Sequence, residues 1–517
     1  MTIRSARFVV SVAAMVALAG CSVSVAGTPQ RLTEPATASG TPSANPTSTP
    51  TTTGTTAATD ATDTPAWQLP TAPPTTDVPD SMVGLKKGAP LPDMPVTGGV
   101  TTDVDAIAVS AIADLITYYG QILPKDFGVA YQPPRELVSY DSTDPNSSVC
   151  DESTYKFVNA FYMNSCNTVA WDRGVLMPML AGEVGTLAPA VVLTHELGHQ
   201  VQYLLGESDK TPTIVMEQQA DCYAGAFWRW VSDGNSAHFT FNQSEGMRQL
   251  LLSLFTVKDP VTVIDAGGGG GNAADPDAHG NGFDRTYAAT LGFTSGAVRC
   301  SRITQQEITQ RGQQFPFVGD PTQFGNVDIT EDVINGLVGT VNEYFTAVMP
   351  GYKPPKLVTY EGRTPPPCAG FTPSFPVAYC PAENTVSYNL AELQRIGTPT
   401  AGWDSSNGDF SAIMLLVTRY ALAAQAVGHS HITGNNAGLR ALCYAGTWAT
   451  WMRDPRGADE YQLSPNDLDK GIYEIVSAPL AGADANGATT ALTVERVQAF
   501  DIGVTHPIPD CFDFYAN

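Results

Sequence analysis

Residues 194–200 read Thr-His-Glu-Leu-Gly-His-Gln, and apolar residues recur on both sides of them at helical spacing. On a helix, His195 and His199 lie one turn apart and face the same way, so that both imidazoles can bind one metal ion. Glu196 lies beside them, where a carboxylate can act as a base toward a metal-bound water. The pattern predicts a helix that carries two zinc ligands and a catalytic base.

A zinc site of this kind needs a third protein ligand, and the next predicted helix offers one. The helix begins at Thr211-Pro212, a cap followed by a first-turn proline, and Glu217 and Asp221 follow one turn apart. We expect Glu217 to ligate the metal and Asp221 to accept the free ring N–H of a ligand histidine. The alternative is a solvated acidic face on a surface helix.

Two motifs, in residues 195–202 and 217–225, carry a family resemblance that extends over most of residues 101–310. The shared positions further along the chain are His279-Gly280, Arg285, Gly292-Phe293, Gly296 and Cys300. This pattern resembles the neutral zinc metallopeptidase family, a zincin-like group. The resemblance implies a mainly helical α+β fold of zincin type and hydrolysis of peptide bonds. It also implies a metal site made of His195, His199 and Glu217, with Glu196 as the base.

The expected chemistry follows from these residue types. Zinc lowers the pKa of its bound water and polarises a carbonyl group, while Glu196 takes the proton and passes it to the leaving amine. The tetrahedral oxyanion needs a further donor. His279 and Arg285 are the predicted catalytic candidates for that role.

The sequence also contains an internal repeat. Residues 131–140 match 352–360 with one residue dropped, and residues 220–225 match 441–446. Further matches near the ends of the two copies pair Arg285, Gly292 and Cys300 with Arg496, Gly503 and Cys511. Repeated, ordered matches predict two copies of one domain, at 101–310 and 325–517. The alternative is one large domain with coincidental similarity. The family commonly has one such domain, so the second copy is a departure from it.

Each copy contains four cysteines in the same order, which narrows the possible disulfides. Pairing near neighbours within each copy predicts the bonds Cys150–Cys166, Cys222–Cys300, Cys368–Cys380 and Cys443–Cys511.

The second copy lacks the predicted metal ligands. Thr418 to Ala423 stand where the first copy has Thr194 to His199, and Gly438 and Leu442 stand at the positions of Glu217 and Asp221. We therefore expect a second lobe of the same fold that binds no zinc and is catalytically inactive.

The N-terminus has the features of an export signal. Residues 1–20 combine a basic start with a short apolar stretch, and Leu18-Ala19-Gly20-Cys21 resembles the lipobox of bacterial lipoproteins. Residues 21–100 are rich in Thr, Pro, Ser and Ala and predict a disordered tether behind a lipidated Cys21. Ordinary cleavage that leaves a free Cys21 is the alternative. No later segment is expected to span a membrane, so the protein would be anchored on the outer face of the bacterial cytoplasmic membrane.

Composition limits the possible partners. Lys and Arg number 27 against 51 Asp and Glu, which gives a net charge of −24. A strongly acidic chain is poorly suited to binding nucleic acid. The resemblance to a metallopeptidase implies a protein or peptide substrate as the partner. The leading hypothesis is a zinc-dependent metallopeptidase at the cell envelope. The alternatives are a non-catalytic binding or scaffold lipoprotein with a structural zinc, and a hydrolase of cell-wall peptides.

Overall fold

The computed structural model describes residues 78–208, 210–257, 280–313, 326–400, 407–428, 430–452, 461, 463, 467–489, 491–506 and 508–516. These residues form a mainly helical α+β structure, as predicted. The helices are α1 (Asp103–Ile122), α2 (Leu176–Glu183), α3 (Ala188–Leu204), α4 (Thr213–Ser232), α5 (Glu245–Thr256), α6 (Gly282–Ser295), α7 (Ala297–Cys300), α8 (Gln305–Gln313), α9 (Glu331–Val348), α10 (Leu390–Gly397), α11 (Asp409–Val427), α12 (Asn435–Trp451), α13 (Asp467–Ser477), α14 (Thr493–Thr505) and α15 (Ile508–Phe514).

The strands are short and form small sheets. They are β1 (Gly84–Leu85), β2 (Glu136–Tyr140), β3 (Ser148–Val149), β4 (Glu152–Ser153), β5 (Ala160–Met163), β6 (Thr168–Asp172), β7 (Phe239–Thr240), β8 (Lys356–Thr359), β9 (Val377–Cys380) and β10 (Thr385–Tyr388).

The first half of the chain (the predicted copy 101–310) and the second half (the predicted copy 325–517) each contain, among the described residues, a three-stranded sheet with the same arrangement. In the first half the order is β2-β6-β5, with β2 parallel and β5 antiparallel to β6. In the second half the order is β8-β10-β9, with β8 parallel and β9 antiparallel to β10. Helix α3 packs beside β5 and β6, and α11 packs beside β9 and β10. In both halves a long buried helix therefore lies next to a mixed sheet.

Helix α6 packs so closely against α4, and α14 against α12, that glycine is required where each pair crosses. A Cβ added to Gly292 of α6 would overlap the carbonyl oxygen of Cys222 in α4, and one added to Gly503 of α14 would overlap that of Cys443 in α12. The same backbone contact thus recurs at the matched positions of the two halves.

All four predicted disulfides are confirmed. Cys150 bonds to Cys166, Cys222 to Cys300, Cys368 to Cys380 and Cys443 to Cys511. The bond from Cys222 ties α4 to the end of α7, and its counterpart from Cys443 ties α12 to α15. Helices α4 and α12 are therefore each fixed by a covalent bond.

The predicted tether ends earlier than expected. Residues 21–77 lie outside the described part of the chain, but residues 78–100 lie against the first half. Strand β1 pairs with β7, the backbone N–H of Lys86 donates to the His238 carbonyl at 2.7 Å, and that of Thr97 donates to Leu137 at 2.9 Å. The boundary at residue 100 was wrong because backbone pairing, which composition does not reveal, holds this segment.

The two halves contact each other through α5 and α6 of the first and α13 and α14 of the second. The rings of Phe255 and Tyr473 lie 6.1 Å apart, and the Thr493 hydroxyl donates to the Ser244 carbonyl at 3.2 Å. One cluster of buried apolar residues extends through both halves. The second half is therefore packed onto the first along helices adjacent to the site described below.

Among the described residues, two segments are long and apolar enough to cross a membrane, judged by length and composition alone. They are Asp103–Phe127 and Asp409–Val427. The sequence analysis expected none after the export signal. Both are largely buried inside the protein, as core helices of this length would be. Their length and composition are accordingly weak evidence for a membrane span.

The crossing of α4 and α6 generates a stability prediction. Gly292→Ala forces a methyl group into the Cys222 carbonyl, and we expect it to lower the free energy of unfolding by about 2 kcal/mol or more, as overpacking does. Gly120→Ala is the matched control, since a Cβ at this exposed helical glycine of α1 has no atom within 4 Å. It should be neutral or stabilising by up to about 1 kcal/mol. Equal effects of the two substitutions in denaturant unfolding would contradict the packing described here.

Candidate metal centre

Helices α3 and α4 bring three predicted ligands together. The ligand atoms of His195, His199 and Glu217 all lie within 4.8 Å of one another, and all three residues are buried. Small residues permit this approach, because a Cβ on Gly198 would lie only 3.0 Å from the Ala220 Cα. The two helices therefore meet at a glycine–alanine contact, directly beside the three ligand side chains.

The two imidazoles present the same ring nitrogen to the carboxylate. His195 Nε2 lies 3.1 Å from Glu217 Oε2, and His199 Nε2 lies 3.4 Å from Glu217 Oε1. Within the described part of the chain, neither Nε2 atom has a hydrogen-bond partner, although both are buried. Buried polar nitrogens are rarely left in this state. Two nitrogens and a carboxylate facing one point are a donor set that suits a metal ion.

The opposite ring nitrogens are both occupied. His195 Nδ1 lies 2.7 Å from Asp221 Oδ1, and His199 Nδ1 lies 2.9 Å from Gln202 Oε1. Each oxygen accepts an Nδ1–H, so that Nε2 presents a lone pair to the centre once the ring is neutral. The predicted role of Asp221 thus matches the observed contact. Gln202 was missed as a partner, although it lies one turn after His199 within the quoted motif.

Gln202 itself is held in place. Its side-chain N–H groups donate to the Met216 carbonyl at 2.5 Å and to Gln219 Oε1 at 3.1 Å. Because the amide nitrogen is committed to α4, the amide oxygen must face His199. The orientation of the second histidine therefore depends on the same helix pair that supplies Glu217.

Arg285 of α6 lies behind Asp221, on the Nδ1 side of His195. Its guanidinium donates to both carboxylate oxygens of Asp221, at 2.8 and 2.9 Å, and to the Val257 carbonyl at 2.8 Å. The contacts of Arg285 position Asp221 and, through it, His195. Its predicted role in stabilising an oxyanion stays a prediction.

Charge in this region favours a bound cation. Burial lowers the pKa of His195, but Asp221 and Glu217 outweigh that effect and raise this pKa to about 10. Burial likewise raises the pKa of Asp221, yet Arg285 and His195 together bring it below its ordinary value. Two buried carboxylates thus surround one imidazole, and at neutral pH either a proton or a metal ion must balance them.

Glu196 lies next to the ligand pair and contacts the sheet. Its Oε2 accepts the backbone N–H of Tyr162 in β5 at 3.0 Å. Glu196 is buried, and it is not one of the three residues whose ligand atoms converge. A carboxylate held beside a metal site without belonging to it is placed to move protons.

The second half shows a register different from the predicted one. Gln202 of α3 donates to the Met216 carbonyl, and Gln425 of α11 donates to the Ala437 carbonyl at 3.1 Å. Met216 and Ala437 are separated by the same number of residues as the matched segments 220–225 and 441–446. Because Gln202 and Gln425 donate to these two matched carbonyls, Gln202 corresponds to Gln425.

This correspondence differs by one residue from the predicted match of Thr194 with Thr418. Thr418 takes the position of His195, and Arg419 takes that of Glu196. Two threonines carry the predicted match, whereas the hydrogen bonds of Gln202 and Gln425 to the neighbouring helices support the shifted one.

Arg419 and its neighbours fill the equivalent place. The buried guanidinium donates to the carbonyls of Leu480 at 2.7 Å and Asp484 at 3.1 Å, and burial lowers its pKa to about 10. At the position of Glu217, Gly438 is packed so closely against Gly482 that a Cβ would overlap the Gly482 carbonyl. Among the described residues of this half, no three potential ligands converge.

Some predicted residues lie outside the described part of the chain. They are the catalytic candidate His279, Cys21 and the export signal at residues 1–20.

No family model matches this chain. It is similar to the uncharacterized protein YpfJ of Escherichia coli strain K12, with 29% identity over 165 residues, covering 28% of this chain and 56% of that protein. The protein of the same name from E. coli O6:H1 strain CFT073 gives the same figures. The chain thus spans about half the length of these relatives. No solved structure matches it.

The geometry predicts pH-dependent binding of one divalent ion. A pKa near 10 leaves His195 protonated at neutral pH, so that binding must release this proton and the apparent affinity for Zn2+ must increase as pH rises toward 10. Calorimetric titration in buffers of different ionisation enthalpy should show about one proton released per ion bound.

Glu217→Gln removes the anionic ligand and should weaken Zn2+ binding at least tenfold. His431→Ala, at an exposed histidine of the second half, should leave the affinity unchanged. Binding that is independent of pH, or a Glu217→Gln variant with unchanged affinity, would show that the ion binds elsewhere.

Proposed function

We propose that the protein is a zinc-dependent metallopeptidase with one active centre, formed by His195, His199, Glu217 and Glu196. The observation that carries this proposal is the position of Glu196. Three buried ligands alone are compatible with several roles of a metal. A fourth buried side chain, the carboxylate of Glu196, is held beside them by the sheet and outside the ligand set, and such a base is what hydrolysis requires.

The donor set supports zinc as the metal. Two imidazole nitrogens and one carboxylate are typical of catalytic zinc, which keeps a further coordination position for solvent or substrate. Zinc in such a site polarises a carbonyl group and makes a bound water more acidic.

The remaining steps belong to the side chains. Glu196 accepts the proton of the attacking water and passes it to the amine that leaves. The Tyr162 N–H holds the carboxylate in place, so little reorganisation is needed during transfer. Asp221 and Gln202 keep both imidazoles in the tautomer that exposes Nε2.

We also propose that the chain is a duplication of one zincin-like domain with an inactive second copy. The matched sheets, the two glycine crossings and the parallel disulfides support this. In the second copy Arg419 and Gly438 occupy the positions of the base and the carboxylate ligand, and both contact residues 480–484. That region therefore has neither ligands nor space for an ion.

An exported, lipid-anchored location is proposed on the signal-like N-terminus and Cys21. Four disulfides support an oxidising compartment, because such bonds persist mainly outside the cytosol.

The second candidate function is a binding or scaffold protein with a structural zinc. Structural sites usually have four protein ligands, whereas three converge within the described residues. A structural site also has no use for Glu196. The structure therefore favours catalysis, and the following experiment separates the two.

Glu196→Gln keeps the size and one acceptor of the side chain but removes the base. We expect it to lower the cleavage of casein and of a peptide library at least 100-fold, as loss of a general base does, while zinc content stays at one per chain. Glu183→Gln, at an exposed carboxylate that ends α2, should cleave as the wild type does.

Chelation should abolish cleavage, and added zinc should restore it. Zinc-loaded wild-type protein that cleaves neither protein substrates nor cell-wall peptides would support the binding protein. Cleavage of cell-wall peptides alone would narrow the substrate class.

A further inference from the structure

We propose that Asp469, in the second half of the chain, is a positioning residue for the metal centre in the first half. It acts on α6, the helix that carries Arg285. This inference rests on the metal centre of the proposed function, but it does not depend on which reaction takes place there.

The contact between Asp469 and α6 is direct and buried. The Asp469 carboxylate accepts the backbone N–H of Gly282 at 3.0 Å and that of Phe283 at 2.9 Å, and Asp469 is 2% exposed. These are the first two residues of α6, where N–H groups have no partner inside the helix. A carboxylate at this end is also stabilised by the helix dipole.

The other N–H groups at the start of α6 are bonded by Asn281, the residue that precedes the helix. The Asn281 side chain accepts the N–H of Asp284 at 2.8 Å, and the Arg285 N–H donates to the Asn281 carbonyl at 3.1 Å. Asn281 and Asp469 thus share the donors of this turn between them. The position of Arg285, one turn into the helix, is set by a cap that the second half completes.

A continuous set of contacts leads from this cap to the metal ligands. Arg285 donates to both oxygens of Asp221, and Asp221 Oδ1 lies 2.7 Å from His195 Nδ1. Every side chain in this series is buried, so water cannot readily replace a lost contact. Small movements at the start of α6 should therefore be transmitted to His195.

Asp469 is itself held firmly. Its neighbour Lys470 donates to Asp467 at 2.9 Å and to Asp409 at 2.6 Å, which fixes the first turn of α13 to the start of α11. The carboxylate that reaches α6 thus projects from a rigid part of the second half.

The start of the matching helix of the second half is arranged differently. Before α14, the Leu492 N–H donates to Glu495 Oε2 of the same helix at 2.9 Å. At the position of Glu495 the first half has Asp284, whose N–H is bonded to Asn281. The carboxylate seen at the start of α6 thus comes from the other half, whereas the carboxylate seen at the start of α14 belongs to α14 itself.

The test measures Zn2+ affinity in the full chain without any substrate. Asp469→Ala should raise the Kd for Zn2+ roughly three- to tenfold, less than the 10- to 100-fold typical of a direct partner of a ligand. Asp469→Asn retains the shape and one acceptor, and it should have a smaller effect in the same direction.

Thr493→Val is the matched control. It removes another hydrogen bond between the halves, the one to Ser244 before α5, and it should leave the Kd for Zn2+ unchanged. An equal rise in Kd for the two variants would overturn the proposal, because it would show only that the halves support each other generally.

A double-substitution cycle tests the route. If Asp469 acts through Arg285, then Asp469→Ala should change the Kd by less than twofold in an Arg285→Met background. The visible absorption of bound Co2+ should shift in Asp469→Asn and not in Thr493→Val. Additive effects of Asp469 and Arg285, or an unshifted Co2+ spectrum, would contradict the route.

This outcome is separable from that of the proposed function. Weakened Zn2+ binding in a protein that cleaves nothing would retain the positioning role and reject the peptidase. Unchanged Zn2+ binding by the Asp469 variants, in a protein that does cleave peptides, would reject the positioning role and retain the peptidase.

Discussion

Two buried imidazoles that face one buried carboxylate are the constraint on which the rest of the structure depends. Such a cluster is costly in a protein interior unless each polar atom has a partner. Here the Nδ1 atoms of His195 and His199 have protein partners, and the Nε2 atoms have Glu217 and the space between the three side chains. A divalent cation satisfies this arrangement, and the surrounding structure can be understood as what keeps it in place.

Three layers of contacts surround the ligand atoms. The first is the crossing of α3 and α4 at Gly198 and Ala220, which sets the distance between the histidines and Glu217. The second is the pair of residues that hold the imidazoles, Asp221 and Gln202. The third is α6, which is packed onto α4 and capped by the second half, and which is followed directly by α7, the helix that the disulfide of Cys300 ties to α4. The second half, whose described residues include no cluster of three potential ligands, is thereby built into the support of the first.

Much of the site was accessible from the sequence because helical spacing converts directly into geometry. His195 and His199 had to share a face, and Glu217 and Asp221 had to share another. The eight paired cysteines followed from their repeated order, and the mainly helical α+β class followed from the motif and its family resemblance.

What the sequence analysis missed depends on contacts between distant elements. The pairing of Arg285 with Asp221 was not foreseen, because a buried guanidinium can serve either an oxyanion or a carboxylate. The register of α11 required the hydrogen bond of Gln425. The ordered segment at residues 78–100 and the cap from Asp469 arise from backbone groups, whose pairing leaves little trace in residue type.

The most direct test of the account is the position of the metal itself. In crystals of the zinc-loaded protein, anomalous difference density at the zinc edge should show one ion within about 2.0–2.2 Å of His195 Nε2, His199 Nε2 and a Glu217 oxygen. The remaining ligand should be solvent, with Glu196 beside it and not coordinated. An ion bound elsewhere, or one enclosed by a fourth protein side chain, would contradict the central claim.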